Sequence, residues 1–360
     1  MKILLVASGK SFHATRWANS LANRGHEVLF YSIGTITRPL SEKIKKYSFS
    51  DSYSKLNYIY SSLQLRQIIK AESPEILHAH YSSGNGLLAA LSLLGIKTPF
   101  VTSLYGTEVF DFPKKSFIHK HILGSICNRA DVVLSTSQVM ANEFCSVFNG
   151  VKEPIITPFG VDVDSFKPRV ESLDKTNKKL RFGIVKKMEH KYGIDLLIRA
   201  TKKLIDKYPD SIELVIAGGG GKELELRKLA NSLGLEEVSF LGWVDNSSVP
   251  DLLRSIDIFV VPSRCFESFG VAAVEAQACG VPCIVSNIGG LPEVVSDGET
   301  GLLFEPENTE DLYMKMEHLL VNAKTRYEMG VAARKRALEC FNWEKSLDQM
   351  EEIYFRFKAS

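Results

Sequence analysis

The chain has 360 residues, 45% of them hydrophobic and 24% charged, with a formal net charge of +2. This is the balance of a soluble globular protein long enough for two domains, and no run nears the ~18 apolar residues that span a bilayer. Residues 1–165 hold 17 Lys/Arg against 12 Asp/Glu, and the remainder 27 against 30; this mild asymmetry, with no basic patch interleaved with aromatics, does not point to nucleic acid.

In chain order, MKILLVAS reads as a first strand, not a signal peptide: it is short, lacks an A-x-A site and runs into polar residues. The protein is therefore expected to stay in the cytoplasm. Short apolar runs follow at 27–32, 76–80, 100–103, 132–136 and 155–157. Helix-like segments separate them, such as 14–24 ending at Gly25 and 86–94 ending at Gly95. Buried parallel strands with helical crossovers have this pattern. Ser8-Gly9-Lys10-Ser11 looks like the end of a P-loop, but Leu4 stands where the first glycine belongs. His78 and His80 share a strand face, with no third ligand at zinc spacing. Segment 114–123, KKSFIHKHIL, reads either as a basic amphipathic helix at a membrane surface or as an ordinary half-buried helix. The basic first half fits an anionic acceptor or anionic headgroups, and equally a solvated surface without a partner.

Asp162-Val163-Asp164 has the D-x-D spacing of some metal-holding sites, but its place beside a polar stretch favours turn and capping duties. That stretch, 166–180, is the best linker candidate. The pattern then restarts, with strands expected at 181–185, 213–217, 238–241, 258–261, 283–286 and 301–304. Helices are expected at 192–208, 222–233, 270–279, 309–322 and 343–357. Two α/β halves imply a ligand cleft between them, at the carboxyl ends of the strands. The four glycines after Ala217 lack the dinucleotide spacing, since Glu223 replaces the last glycine, and read as a tight strand–helix turn. The six cysteines form no CxxC pair and read as scattered structural thiols.

Glu267 and Glu275 flank SFGVAAV after the strand expected at 258–261. A helix is expected to begin near Ser268, and its unpaired N–H groups and positive dipole end make a phosphate site. Eight residues correspond to ~12 Å along a helix axis, against roughly 5–9.5 Å for glycosidase carboxylate pairs. That spacing suits a longer ligand, a sugar–diphosphate–ribose with one acid at each sugar. Lys186 and Lys191, in the loop of FGIVKKMEHKYGIDLL, place two ammonium groups where a leaving diphosphate gains charge. Glu267 also has a plain reading, as a carboxylate beside a helix start. Glu275 lies within an apolar run and needs a polar partner there.

GIVKKMEHKYGIDLLIRA, AGGGG, VSFLGWV, PSRCFESFGVAAVEAQACGVPCIVSNIGGLPEVV and DGETGLLF, with GHEV, HAHY, YGTEV and TPFGVDVDSFKP in the first half, resemble the retaining family 4 glycosyltransferases of the GT-B fold. That group includes bacterial polysaccharide and lipopolysaccharide enzymes. The resemblance spans essentially the whole chain. It implies two Rossmann-like doubly wound domains facing across a cleft: an acceptor domain at 1–165, a linker at 166–180, a donor domain at 181–342, and a last helix, 343–360, packing back on the first domain. Glu275 would bind the donor ribose and Glu267 the transferred sugar. The backbone of Ser268, Phe269 and Gly270 would hold phosphate or sugar, Lys186 and Lys191 would clamp the diphosphate, and Gly9 would close on the phosphates. Lys186 stands for the family's arginine, which keeps the charge and loses the bidentate fork. Tyr105 stands for a frequent histidine, and the acceptor-side candidates are His13, Tyr105 and Thr107. Catalysis is expected from Glu267, Lys186 and Lys191, without cofactor or metal. The expected partners are a UDP- or GDP-sugar and a glycan or lipid-linked acceptor, with peripheral contact at the inner face of the plasma membrane. A nucleotide-sugar epimerase and an inactive scaffold are the alternatives.

Overall fold

The computed structural model describes residues 1–49, 55–148, 150–169 and 179–358. Positions 170–178 of the expected linker lie outside them. The chain divides into two compact units: Met1–Pro158 with Leu347–Ser360, and Phe159–Ser346.

In the first unit β1 (Lys2–Val6), α1 (Phe12–Asn23), β2 (Glu27–Ile33), β3 (Lys45–Phe49), α2 (Lys55–Glu72), β4 (Ile76–His80), α3 (Leu87–Ser92), β5 (Phe100–Leu104), α4 (Thr107–Phe110), α5 (Phe117–Arg129), β6 (Val132–Ser135), α6 (Gln138–Val147) and β7 (Ile155–Ile156) follow in order. The sheet is wholly parallel, in the order β3-β2-β1-β4-β5-β6-β7. Strands β4 and β5 are buried along their whole length, as parallel strands covered on both faces must be. Ser11 caps α1, its Oγ accepting from the Ala14 N–H. Strand β3 and helix α2 are absent from the sequence reading. β3 is an edge strand with exposed lysines, so it carries no apolar run to find.

The second unit runs β8 (Leu180–Val185), α7 (Ile194–Lys207), β9 (Ile212–Ala217), α8 (Glu223–Ser232), β10 (Val238–Gly242), α9 (Val249–Arg254), β11 (Ile258–Val261), α10 (Val271–Ala278), β12 (Cys283–Ser286), α11 (Leu291–Val294), β13 (Gly301–Phe304), α12 (Thr309–Val321) and α13 (Ala323–Cys340). Its parallel sheet has the order β10-β9-β8-β11-β12-β13. Helix α7 shows how this half folds. Ile194, Leu197, Ile198, Thr201 and Leu204 recur at helical spacing and are buried in the core with β8 and β9. The last helix, α14 (Trp343–Phe355), starts in the second unit and ends in the first. There Arg24 and His26 bond Glu351, and Tyr354 bonds His78. Residues 159–161 belong to the second unit, ahead of the expected 165, because Phe159 packs on Phe269 and Val161 bonds the backbone of Phe341 and Trp343.

Candidate functional site

In both sheets the strand order reverses at one point, between β8 and β11 in the second unit and between β1 and β4 in the first. Doubly wound sheets bind ligands at such switch points, outside the carboxyl ends of the strands. In the second unit Lys186 follows β8, and Glu267 lies in the loop after β11. The structure brings them together: Lys186 Nζ is 2.7 Å from Glu267 Oε1. Ser263 donates to the same oxygen at 2.7 Å, and Glu267 Oε2 has no donor among the described residues. Lys186 and Lys191 both face the Tyr192 ring, at 4.6 and 5.1 Å. Burial lowers the Lys191 ammonium, but Tyr192 and Glu189 outweigh it and hold it above its ordinary range, so it is a cation at neutral pH.

The backbone beneath is fixed by close approaches. Gly193, at φ 63°, leads into α7, and a Cβ there would sit 1.9 Å from the Pro262 carbonyl oxygen. The glycines after β9 pack under the Lys186 loop, a Cβ on Gly218 falling 2.0 Å from the Lys186 oxygen. Met188 N–H donates to Gly219 and Lys222 N–H to Met188. The glycine run is thus the tight turn expected of it. Gly289 and Gly290 back the Glu267 loop in the same way, and Gly290 N–H donates to the Glu267 carbonyl at 2.8 Å.

Helix α10 begins at Val271, not near Ser268. Gly270, at φ 109°, is its N-cap, so Glu267 lies in the preceding loop and only Glu275 is on the helix. The rise of a helix therefore does not measure the separation of the two acids. Ala273 and Val274 donate to the Gly270 carbonyl, while the N–H groups of Val271 and Ala272 have no acceptor among the described residues. Glu275 is half-buried. The Phe269 ring is core, stacked edge-on against Phe159 and Phe341, which leaves its backbone as the part able to meet a ligand.

Sequence reasoning missed Arg264. Its guanidinium grips Asp195 at 2.7 and 2.8 Å and donates to the His190 carbonyl, and its N–H donates to the Lys191 carbonyl. The Lys191 loop, the start of α7 and the β11 loop are thereby tied together. Burial raises the Asp195 carboxyl, but the Arg264 bonds and charge prevail and hold it below the ordinary range. That stabilisation is present above the usual carboxylate range and is lost as pH falls through it. Arg264→Ala should cost about 2–3 kcal/mol in urea denaturation, Arg264→Lys recovering only part because the fork is lost. A midpoint unchanged by Arg264→Ala would remove this role.

In the first unit Gly9 follows β1. Its N–H donates to Ser32 Oγ at 2.9 Å, and a Cβ there would meet Ile36 Cα at 2.6 Å. His13 lies in the first turn of α1; burial, then Arg16, lowers its pKa to about 4. Burial, then His13, takes His80 to about 3. Both imidazoles are neutral at pH 7. The Tyr105 hydroxyl is 3.0 Å from His80 Nδ1, and its ring is 4.8 Å from that of Tyr81, a residue held at φ 68°. His80 Nε2 has no partner among the described residues. Thr107 is exposed at the start of α4. His13, His80, Tyr81 and Tyr105 therefore gather at this switch point. Of these, the sequence reading weighed His80 singly only as a metal ligand, and Tyr81 entered it only within the HAHY match. His78 is committed to Tyr354 and Ser103. Asp162 makes a turn, accepting from the N–H groups of Asp164 and Ser165. Among the described residues no group of three or more His, Cys, Asp or Glu is placed to hold a metal.

Two family models match: "Glycosyl transferases group 1" over residues 166–336, and "Glycosyl transferase 4-like" over 2–137. A relative described as N-acetyl-alpha-D-glucosaminyl L-malate synthase, from Bacillus anthracis, is 28% identical over 96% of this chain and 93% of its own. Among solved structures, the sucrose-phosphate synthase of Thermosynechococcus elongatus aligns with a TM-score of 0.84 at 20% identity, covering 100% of both chains. An Anabaena protein solved in complex with UDP-glucose aligns at 0.80 and 20% identity, covering 98% of this chain and 99% of its own. The two models take up the two halves in turn, and the chain belongs to the group 1, family 4-like glycosyltransferases, with the GT-B fold.

Proposed function

We propose that the second unit holds a nucleoside-diphosphate sugar and that the first holds a hydroxyl-bearing acceptor, the sugar being transferred with retention at its anomeric carbon. The observation that carries this reading is the Lys186–Glu267 pair at the switch point, with Lys191 on the same tyrosine ring. In the reaction the bond from the anomeric carbon to the diphosphate oxygen breaks. The acceptor oxygen bonds that carbon, and its proton leaves with the departing phosphate. Fixed cations stabilise the charge that the diphosphate gains, and the N–H groups of Val271 and Ala272 add to them. Since the lysines supply the positive charge, no metal is required. Glu267 Oε2 accepts from a hydroxyl of the transferred sugar, and Glu275 from the ribose. On the acceptor side, the neutral His80 and His13 with Tyr105 and Thr107 suit a hydroxyl, which both accepts and donates hydrogen bonds.

UDP-sugars come first as donors because a neighbour of the same fold was solved with UDP-glucose. N-acetylglucosamine comes first as the sugar, and hydroxy acids join glycans and lipid-linked glycans as acceptors, because of the printed name of the relative that matches 96% of this chain. A role in cell-surface polysaccharide synthesis follows if the acceptor is a glycan. The test is a thermal-shift panel of UDP-, GDP- and ADP-sugars, then calorimetry and turnover with and without acceptor. One nucleotide class should stabilise the protein. Glu275→Ala should raise the donor KM by about 10- to 100-fold, as expected for charged hydrogen bonds lost to the ribose. Binding without turnover would instead make the chain a scaffold, and an isomerised donor without acceptor would make it an epimerase.

A further inference from the structure

The helical face of the first unit exposes apolar side chains that its core does not use. Helix α5 opens with Phe117 and Ile118, 73% and 66% exposed, while Leu123, Ile126 and Cys127 turn inward. Helix α3 is only six residues long. A groove of about 500 Å³ runs between it and α5, lined by Phe117 and Ile118 together with Leu91 and Leu94, which are 38% and 61% exposed. Scattered exposed apolar residues need no explanation, but a contiguous set does. The same segments carry exposed Lys97, Lys114, Lys115 and Lys120, and Asp111 is their only exposed carboxylate between residues 84 and 129.

We infer that this face docks on an anionic lipid surface. Phe117 and Ile118 enter the boundary between headgroups and acyl chains, and the lysines meet the acidic headgroups. Charge argues against a second copy as the occupant, because a two-fold contact would set this basic rim against itself. Helix α5 starts on the carboxyl-end side of the sheet, the side that carries His80, Tyr105 and Thr107. A hydroxyl acceptor anchored in the same lipid would then lie close to those groups. The docking itself does not depend on the transfer reaction.

The test is flotation of the full chain with vesicles of mixed phosphatidylglycerol and phosphatidylcholine, against phosphatidylcholine alone. The protein should float with the anionic vesicles only. Phe117→Ser/Ile118→Ser and Lys114→Glu/Lys115→Glu should each lower partition by about tenfold or more, with thermal melts unchanged because these side chains are exposed. Failure of the wild type to float, or unchanged flotation of both variants, would overturn the inference. So would a dimer, seen by light scattering, that Phe117→Ser/Ile118→Ser converts to monomer, since the face would then be a self-interface.

Discussion

Lys186→Ala should turn over about 100- to 1,000-fold more slowly, the range seen when one fixed group that stabilises transition-state charge is removed. The fall should lie mainly in kcat. The ground-state diphosphate still has Lys191 and the start of α10, whereas the extra charge that develops as the bond breaks loses its cation. Lys186→Arg keeps the charge, so it should retain much of the rate. Glu267 makes the experiment sharper. It is only 12% exposed and shares Oε1 between Lys186 and Ser263. Removing the lysine therefore also frees a carboxylate to repel the diphosphate. The double variant Lys186→Ala/Glu267→Gln should lose less than the sum of the single losses, because residues in direct contact do not act additively. Additive losses, or wild-type kcat in Lys186→Ala, would remove both roles.

The parts of this site that were legible in the sequence are those where residue type alone limits what a position can do. Short apolar runs marked all six strands of the second sheet. Paired lysines after one strand and acids around SFG after another marked residues of which the structure brings Lys186 and Glu267 together. Of the two starts read from the sequence, 270 agrees with the structure, and the one near Ser268 was misplaced because Phe269 and Gly270 look compatible with a first turn. What moved it is tertiary: Gly270 takes a left-handed conformation, and Phe269 is drawn into an aromatic cluster with Phe159 and Phe341, both remote in sequence. Arg264 was invisible for the same reason. Its partner Asp195 is 69 residues away, and an arginine in a loop reads as solvated until its fork is seen closed. In the first unit the sequence offered His13, Tyr105 and Thr107 singly. It could not show that His80 and Tyr81 converge on His13 and Tyr105, because that depends on the β1–β4 crossover and on the positive φ at Tyr81. Glu108 was the one missed residue with a readable signal, a carboxylate between strand and helix in an apolar setting.

Glu108 should give a clear pH effect between pH 5 and 7. Its side chain is fully buried, and burial pushes its carboxyl up to about 7. Hydrogen bonds to Oε1 from the Ser82 N–H at 3.1 Å, and to Oε2 from the Tyr105 N–H and the Thr107 hydroxyl at 3.4 Å, recover only part of that shift. Its titratable neighbours Tyr81, Tyr105 and Cys127 are acids, and all are shifted upward, so they stay neutral at neutral pH and none is a cation that could pair with the carboxylate. A carboxyl raised in the folded state binds its proton more tightly there than in the unfolded chain. The associated stability is complete below the ordinary carboxylate range, is lost as pH rises from about 4.5 to 7, and changes no further above that. The shift corresponds to about 3 kcal/mol. Glu108→Gln cannot ionise, so subtracting its urea-denaturation profile from that of the wild type should isolate this slope between pH 5 and 7. Parallel profiles would show that the carboxyl titrates normally. The same residue ties the Tyr81–Ser82 turn to the Tyr105 loop. If those two segments hold the acceptor, Glu108→Gln should raise the acceptor KM while leaving the donor KM unchanged, because every group it touches lies in the first unit.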